Sequence, residues 1–175
     1  IQGGMVCSKN KEWIKEIKQL REPEEDPDDE RIKYRYTMSD INAAVGLQQL
    51  KKLDRFIKRR REIAKLYKEE LEGAKLVFPG EVDKRFHIYH RFIVRGDWKP
   101  TKIIAKLNKK GVEAKMMHYP PLHRRKLLKK YGILGKYPIT DEVAETHISL
   151  PIYPSLSDEE ALYVAKLLKE VLREI

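Results

Sequence analysis

The sequence has 175 residues, 41% hydrophobic and 37% charged, with a formal net charge of +10. That length allows one core of ordinary size with a fragment of a second. No apolar run is long enough to cross a bilayer as a helix, and a single cysteine, Cys7, excludes an internal disulfide. The surplus of cations admits nucleic acid or another anion as partner. The basic residues alternate with acids over several stretches, however, as in KKLDRFIKRRREIAKLYKEELE, and read as a solvated face, so nucleic acid is disfavoured. One cysteine suits a reducing, cytoplasmic compartment, and no signal peptide is seen. Abundant Lys and Glu with scarce Asn, Gln and Cys are compatible with a thermophilic source. The chain opens on Ile1, from which we expect further sequence upstream.

Residues 1–8, IQGGMVCS, read as the end of a strand, two glycines leading into a short apolar run. Lys9 to Arg21 is helical by pattern, with Trp13, Ile14, Ile17 and Leu20 on one side. EPEEDPDDE, residues 22–30, has two prolines and seven carboxylates and reads as a solvated loop. It lacks the ligand spacing and turn glycine of a calcium loop. From Ser39, a good N-cap with Asp40 behind it, apolar positions recur at helical spacing through Leu71, and Gly73 is a stop. The expectation is one helix of roughly 50 Å that bridges two bodies.

Beyond it, Lys75–Phe78 reads as a short strand, and HIYHRFIVR, residues 87–95, as a stronger one. Pro100 opens a helix that Gly111 ends. Val112–Tyr119 is a strand, followed by Pro120-Pro121 and a basic helix from about Arg124 to Tyr131. Thr140–Thr146 is a short helix, and residues 148–152 are extended. Ser157 caps the last helix, and Glu160 completes a capping box. Strands alternating with helices argue an α/β or α+β layer, a small sheet covered by helices.

Few constellations carry chemistry. His118-Tyr119-Pro120-Pro121-Leu122-His123 leaves a strand, turns through two prolines and enters a helix. Prolines fix the backbone that presents the imidazoles and the phenol, and loops at strand ends are common ligand sites. The residues alone leave a ligand site and a rigid connector both standing. Tyr34-Arg35-Tyr36-Thr37 precedes a helix N-terminus, where hydroxyls, a guanidinium and free N–H groups can meet an anion; aromatics packed on a neighbour are the plainer reading. A metal site is not expected, because the five histidines share neither a strand face nor a helix face. No nucleophile elbow, phosphate loop or complete catalytic set is present.

Three of these stretches line up with one family. YRYTMSDINAAVGLQQLKKLD, HYPPLH after a strand and ISLPIYPSLSDEE resemble, in order and spacing, the C-terminal half of the DegT/DnrJ/StrS-type aminotransferases, and the opening GGMV is similar to the strand after their cofactor lysine. The resemblance covers nearly the whole chain. It implies the C-terminal part of an aspartate-aminotransferase-type fold, with residues 1–33 a remnant of the large domain, 34–72 a connecting helix and 73–175 a small domain. It implies pyridoxal 5'-phosphate (PLP) as cofactor in the complete protein, and amino transfer from glutamate or glutamine to a keto-sugar nucleotide by a homodimer. A sugar-dehydrating relative is the alternative within the family; outside it, a non-enzymatic binding module is. The Schiff-base lysine would precede Gly3-Gly4, outside this chain, so we expect no transamination, and no bound PLP, by this chain alone.

By the same resemblance, Thr37 occupies a position, commonly Asn or Arg, that reaches the cofactor phosphate of the partner subunit. Arg35, where Asn is common, adds positive charge. His118, Tyr119 and His123 match the loop beside the substrate, and Tyr36 joins that pocket. REPEEDPDD replaces the family's usual Arg-Asn-His-Gly-like segment, so no contact is carried over from it.

Overall fold

The computed structural model describes residues 3–21, 30–132 and 135–174, apart from the side chain of Lys129. The acidic loop therefore lies outside the described residues except for Glu30. The chain divides into two compact units, residues 1–53 and 54–175.

The first unit contains two helices, of which the first is strongly amphipathic. Helix α1 spans Lys11–Arg21 and α2 spans Asp40–Leu50. Asn10 Oδ1 accepts the backbone N–H groups of Glu12 and Trp13 at the start of α1. Ser39 caps α2 as expected, its hydroxyl accepting the N–H of Asn42 at 3.3 Å. Neither helix holds a fully buried residue. Met5, Trp13, Tyr34, Tyr36, Ile41 and Leu47 are all more than half exposed. Residues 3–8 form no strand, because no described segment pairs with them.

The single long helix expected from Ser39 to Glu72 is two helices. Lys51 and Lys52 form a turn, and the Lys52 N–H bonds three residues back to Gln49 O at 3.0 Å, tightening and ending α2. Helix α3 then runs Leu53–Glu70. Gly73, at φ +76°, provides the stop after it.

The second unit holds the core. Strand β1, Phe92–Arg95, pairs antiparallel with β2, His147–Leu150, in the register Phe92↔Leu150 to Arg95↔His147. Val77 extends the sheet by one bridge to Arg95, and Lys115 by one bridge to Ser149. The spatial order is therefore residue 77, β1, β2, residue 115. Helices α4 (Pro100–Lys109) and α7 (Asp158–Arg173) pack together, and α4 also packs on β2. Tyr67, Phe92, Ile63, Leu71, Ile103, Leu107, Ile148 and Leu168 are completely buried. Tyr67 and Phe92 rings lie 4.9 Å apart, tilted by 46°. The expected capping box holds α7: Ser157 Oγ accepts the Glu160 N–H, and Glu160 Oε2 accepts the Ser157 N–H.

Two expected strands are shorter than the sequence reads. Residues 87–91 leave the sheet because Tyr89 adopts φ +46°, which turns the chain and buries its ring. Residues 112–119 keep only the bridge at Lys115, and His118 at φ +54° ends the extended run. The basic helix expected over 124–131 is a 3₁₀ turn, Leu122–Arg124, and a short α5, Lys126–Lys129. Helix α6 spans Pro138–Thr146, opened by its proline.

Helix α3 is fastened to the loops around the sheet by three successive arginines. Arg59 donates to Leu156 O at 2.6 Å and pairs with Asp158 at 2.7 Å. Arg60 donates to Ile152 O at 2.7 Å and to His90 O at 3.1 Å, and burial pulls its pKa below the ordinary guanidinium value. Arg61 donates to His87 O at 2.7 Å, pairs with Glu81 at 3.1 Å and lies 4.2 Å from the Phe86 ring centroid. Below them the Tyr67 hydroxyl donates to Pro151 O at 2.7 Å.

Replacing Arg60 by Met keeps the aliphatic stem but leaves the carbonyls of residues 90 and 152 without their donor. The expected loss is about 2–3 kcal/mol in urea unfolding. The exposed Arg55, changed the same way, should shift stability by less than about 0.5 kcal/mol. Equal losses at the two positions would mean that the carbonyl contacts carry no special weight.

Candidate functional site

The HYPPLH segment borders a cleft of about 670 Å³ in the second unit. One wall comes from β1 and the chain just before it, with Arg91 and Ile93. A second comes from Met117, His118, Pro121, Leu122 and His123. The third comes from α6 and the chain before it, with Tyr137, Ile139, Thr140, Val143 and Ala144, and His147 follows it. The walls are apolar and aromatic, and the polar groups of the lining residues are one guanidinium, three imidazoles and two hydroxyls, of Tyr137 and Thr140. That is the usual character of a small-molecule site, apolar walls with few oriented polar groups.

The loop is built locally. Arg124 N–H bonds Pro121 O and Arg125 N–H bonds Leu122 O, which closes the 3₁₀ turn after the two prolines. His123 is held by α6: its Nε2 lies 2.7 Å from Asp141 Oδ1, and its ring centroid lies 5.0 Å from that of Tyr137. Arg124 Nε also reaches Asp141, at 2.7 Å, and Arg124 Nη1 reaches Glu145, one turn along, at 2.6 Å. Burial alone would raise the Asp141 pKa. The hydrogen bonds and charges of His123 and Arg124 outweigh it and hold the carboxyl below the usual aspartate value.

His147 is 5% exposed and bonded on both ring nitrogens. Its Nδ1 lies 2.7 Å from Val143 O, and its Nε2 accepts the backbone N–H of Met117 at 2.9 Å. His118 is exposed and has no hydrogen-bond partner among the described residues.

The site residues expected from sequence divide as follows. His118 and His123 meet in the cleft, although they share no helix face. Tyr119 is 47% exposed and is not among the residues lining it. Arg35, Tyr36 and Thr37 belong to the first unit, immediately before Ser39, and all three are exposed. The rings of Tyr34 and Tyr36 stack there at 5.3 Å and 14°. A guanidinium, hydroxyls and the start of a capped helix are a donor set suited to a phosphate. Among the described residues no lysine lines the cleft. His87 and His90, expected on opposite faces of a strand, lie in the turn before β1, where His87 Nδ1 accepts the Tyr89 N–H.

Sequence reasoning missed Arg91, Asp141 and His147. Arg91 sits in a run whose alternation breaks at Tyr89. Asp141 looks like an ordinary first-turn acid of a helix. His147 opens a run, HISL, that carries no motif, and its two partners are tertiary.

The profile of the DegT/DnrJ/EryC1/StrS aminotransferase family matches residues 1–169. An uncharacterized protein of Methanocaldococcus jannaschii is 34% identical over 99% of this chain and 50% of its own length. The GDP-perosamine synthase of Escherichia coli O157:H7 is 33% identical over 79% of this chain and 38% of its own length. Among solved structures, a Streptococcus pneumoniae protein assigned as a sugar aminotransferase, in its PLP form, superposes with a TM-score of 0.83 at 26% identity. That superposition covers 95% of this chain and 45% of the other. The chain thus spans about half the length of the relatives it matches, and its fold is that part of the PLP aminotransferase fold.

The depressed Asp141 titration gives a signed expectation. Its contribution to stability is present above the unfolded aspartate pKa and is lost as the pH falls through the lower folded value. Asp141→Asn should therefore lower the urea midpoint at neutral pH, and the gap from the parent should close on acidification through that range. A gap that stays constant into acid would show that the carboxylate charge is not what holds His123 and Arg124.

Proposed function

We propose a function from one premise: the chain belongs to the DegT/DnrJ/EryC1/StrS aminotransferase family. It is the C-terminal portion of a PLP-dependent enzyme that moves an amino group from glutamate or glutamine onto a keto-sugar nucleotide, and the enzyme works as a homodimer. The observation that carries this is the cleft under the 118–123 loop, in a chain whose family match extends from residue 1 to residue 169. The name of the E. coli relative, a GDP-perosamine synthase, supports a sugar nucleotide as substrate.

In this reading Arg35 and Thr37 contact the cofactor phosphate, the first by charge and the second by its hydroxyl. When bound, PLP supplies the electron sink for bond changes at the amino-bearing carbon. Tyr36, His118, Tyr119 and His123 face the substrate. His118, exposed and unpaired among the described residues, can hydrogen-bond a sugar hydroxyl or a phosphate oxygen. Arg91 provides the permanent positive charge of the cleft. The apolar walls exclude water from the sugar's ring face. The lysine that carries the cofactor lies outside this chain, so the chain alone does not transfer amino groups.

The alternative of a nucleic-acid module is weakened by where the cations go. Arg59, Arg60 and Arg61 are occupied with carbonyls and carboxylates of the same chain, and Arg124 with Asp141 and Glu145.

The test compares this chain with the protein made from its complete gene. The complete protein should take up PLP and consume glutamate when given a GDP-linked or dTDP-linked 4-keto-hexose; the isolated chain should do neither. A complete protein that ends in this chain but takes up no PLP would sink the reading. In the active protein, His118→Ala should raise KM for the sugar nucleotide roughly tenfold, the weight of one lost hydrogen bond to a charged group, with PLP content unchanged.

A further inference from the structure

We infer that His147 is a positioning residue that holds the backbone of the 115–118 segment, and with it His118, only while its imidazole is neutral. The inference rests on reading the cleft as the substrate side, and concerns how that side is kept in place.

The hydrogen bonds fix the tautomer. A backbone N–H can only donate, so the Met117 N–H at 2.9 Å requires a lone pair on His147 Nε2. The proton of the neutral ring must then sit on Nδ1, where it donates to Val143 O at 2.7 Å. Both bonds are sheltered, since the residue is 5% exposed. One ring therefore ties the last turn of α6 to the residue preceding His118.

This tie matters because little else fixes that segment. Its sheet pairing is one bridge, Lys115↔Ser149. Two residues past Met116, His118 takes φ +54°, a conformation unusual for a side chain with a Cβ. A backbone held in that region needs its surroundings to impose it. His147 grips the residue immediately before the turn.

Protonation would reverse the sense of the contact. Nε2 would gain a proton that opposes the Met117 N–H and faces Met117 O, 3.1 Å away, instead. A neutral ring accepts from Met117 N–H; a charged one can only donate to Met117 O. The Met117 N–H then loses its acceptor, and the backbone just before His118 is released from that bond.

Charged and titratable groups stand on each element that borders the ring. Arg91 and Arg95 come from the β1 side, with Arg95 opposite His147 in the sheet and tied to Glu142 at 2.6 Å. His118 and His123 come from the loop, and Asp141, Glu142 and Glu145 from α6. Lys115 lies on the gripped segment.

The test uses this chain without ligand, so it is independent of the substrate reading, which fails separately if the complete protein takes up no PLP. Nitrogen-15 NMR of the imidazole should show the Nδ1–H form at neutral pH; an Nε2–H form overturns the inference. Amide exchange at Met117, corrected for its intrinsic pH dependence, should be protected when the ring is neutral and accelerate roughly tenfold as it titrates. His147→Gln keeps an acceptor but cannot titrate, so it should retain that protection at every pH. His147→Phe should lose it at every pH. Protection in the parent that ignores the ring's titration, or that survives in His147→Phe, shows a merely packed histidine and overturns the inference.

Discussion

The second unit depends on backbone carbonyls that its short strands leave unpaired. Among the described residues only 92–95 and 147–150 form a ladder, so the segments 87–91 and 151–157 reach the sheet without strand partners. A carbonyl buried without a donor costs about 1–3 kcal/mol, and the answer here is guanidinium. Arg59, Arg60 and Arg61, consecutive on α3, send hydrogen bonds to the carbonyls of residues 156, 152, 90 and 87. Three consecutive helix positions point about 100° apart, so they cover an arc. That arc lets one helix hold chain on both sides of it. Tyr67, two turns on, adds Pro151 O, and Lys169 of α7 caps the end of α3 at Glu70 O, 2.8 Å away.

This bears on the cleft because Arg91 and Ile93 lie directly after the segment that Arg60 and Arg61 secure. The loop at 87–90 sets where β1 begins, β1 sets the register of β2, and β2 begins with His147. The same antiparallel register puts Arg95 opposite His147. The wall of the cleft that β1 contributes is therefore only as well placed as the carbonyl clamps behind it.

What was legible in the sequence is what is decided locally. Ser39, Pro100, Gly73, Gly111 and the Ser157–Glu160 box each act through a backbone group within a few residues, and each does what its chemistry requires. The motif order was legible as a family, and the HYPPLH loop as a rigid turn that borders the cleft. The break at Lys51-Lys52 was not, because LQQLKKLDRF contains no helix breaker. The ends of the strands were not, because positive φ at Tyr89 and His118 is imposed by tertiary contacts on residues that favour strand. The arginine run was read as a solvated face because the letters are those of one. Whether an arginine faces water or a carbonyl is decided by chain some 30 to 100 residues away.

The three imidazoles of the cleft show the same division of labour at smaller scale. His123 faces a carboxylate and a ring, and that carboxylate, Asp141, is shared with Arg124. His147 faces an amide N–H and a carbonyl, and the neutral ring satisfies both by accepting at Nε2 and donating from Nδ1. His118 directly follows Met117, which His147 holds, and is exposed and without a partner of its own among the described residues. Two rings spend their hydrogen bonds within the fold, and the third makes none among the described residues. The backbone at His118 already holds φ +54°, so what a ligand would still have to order there is the exposed side chain alone.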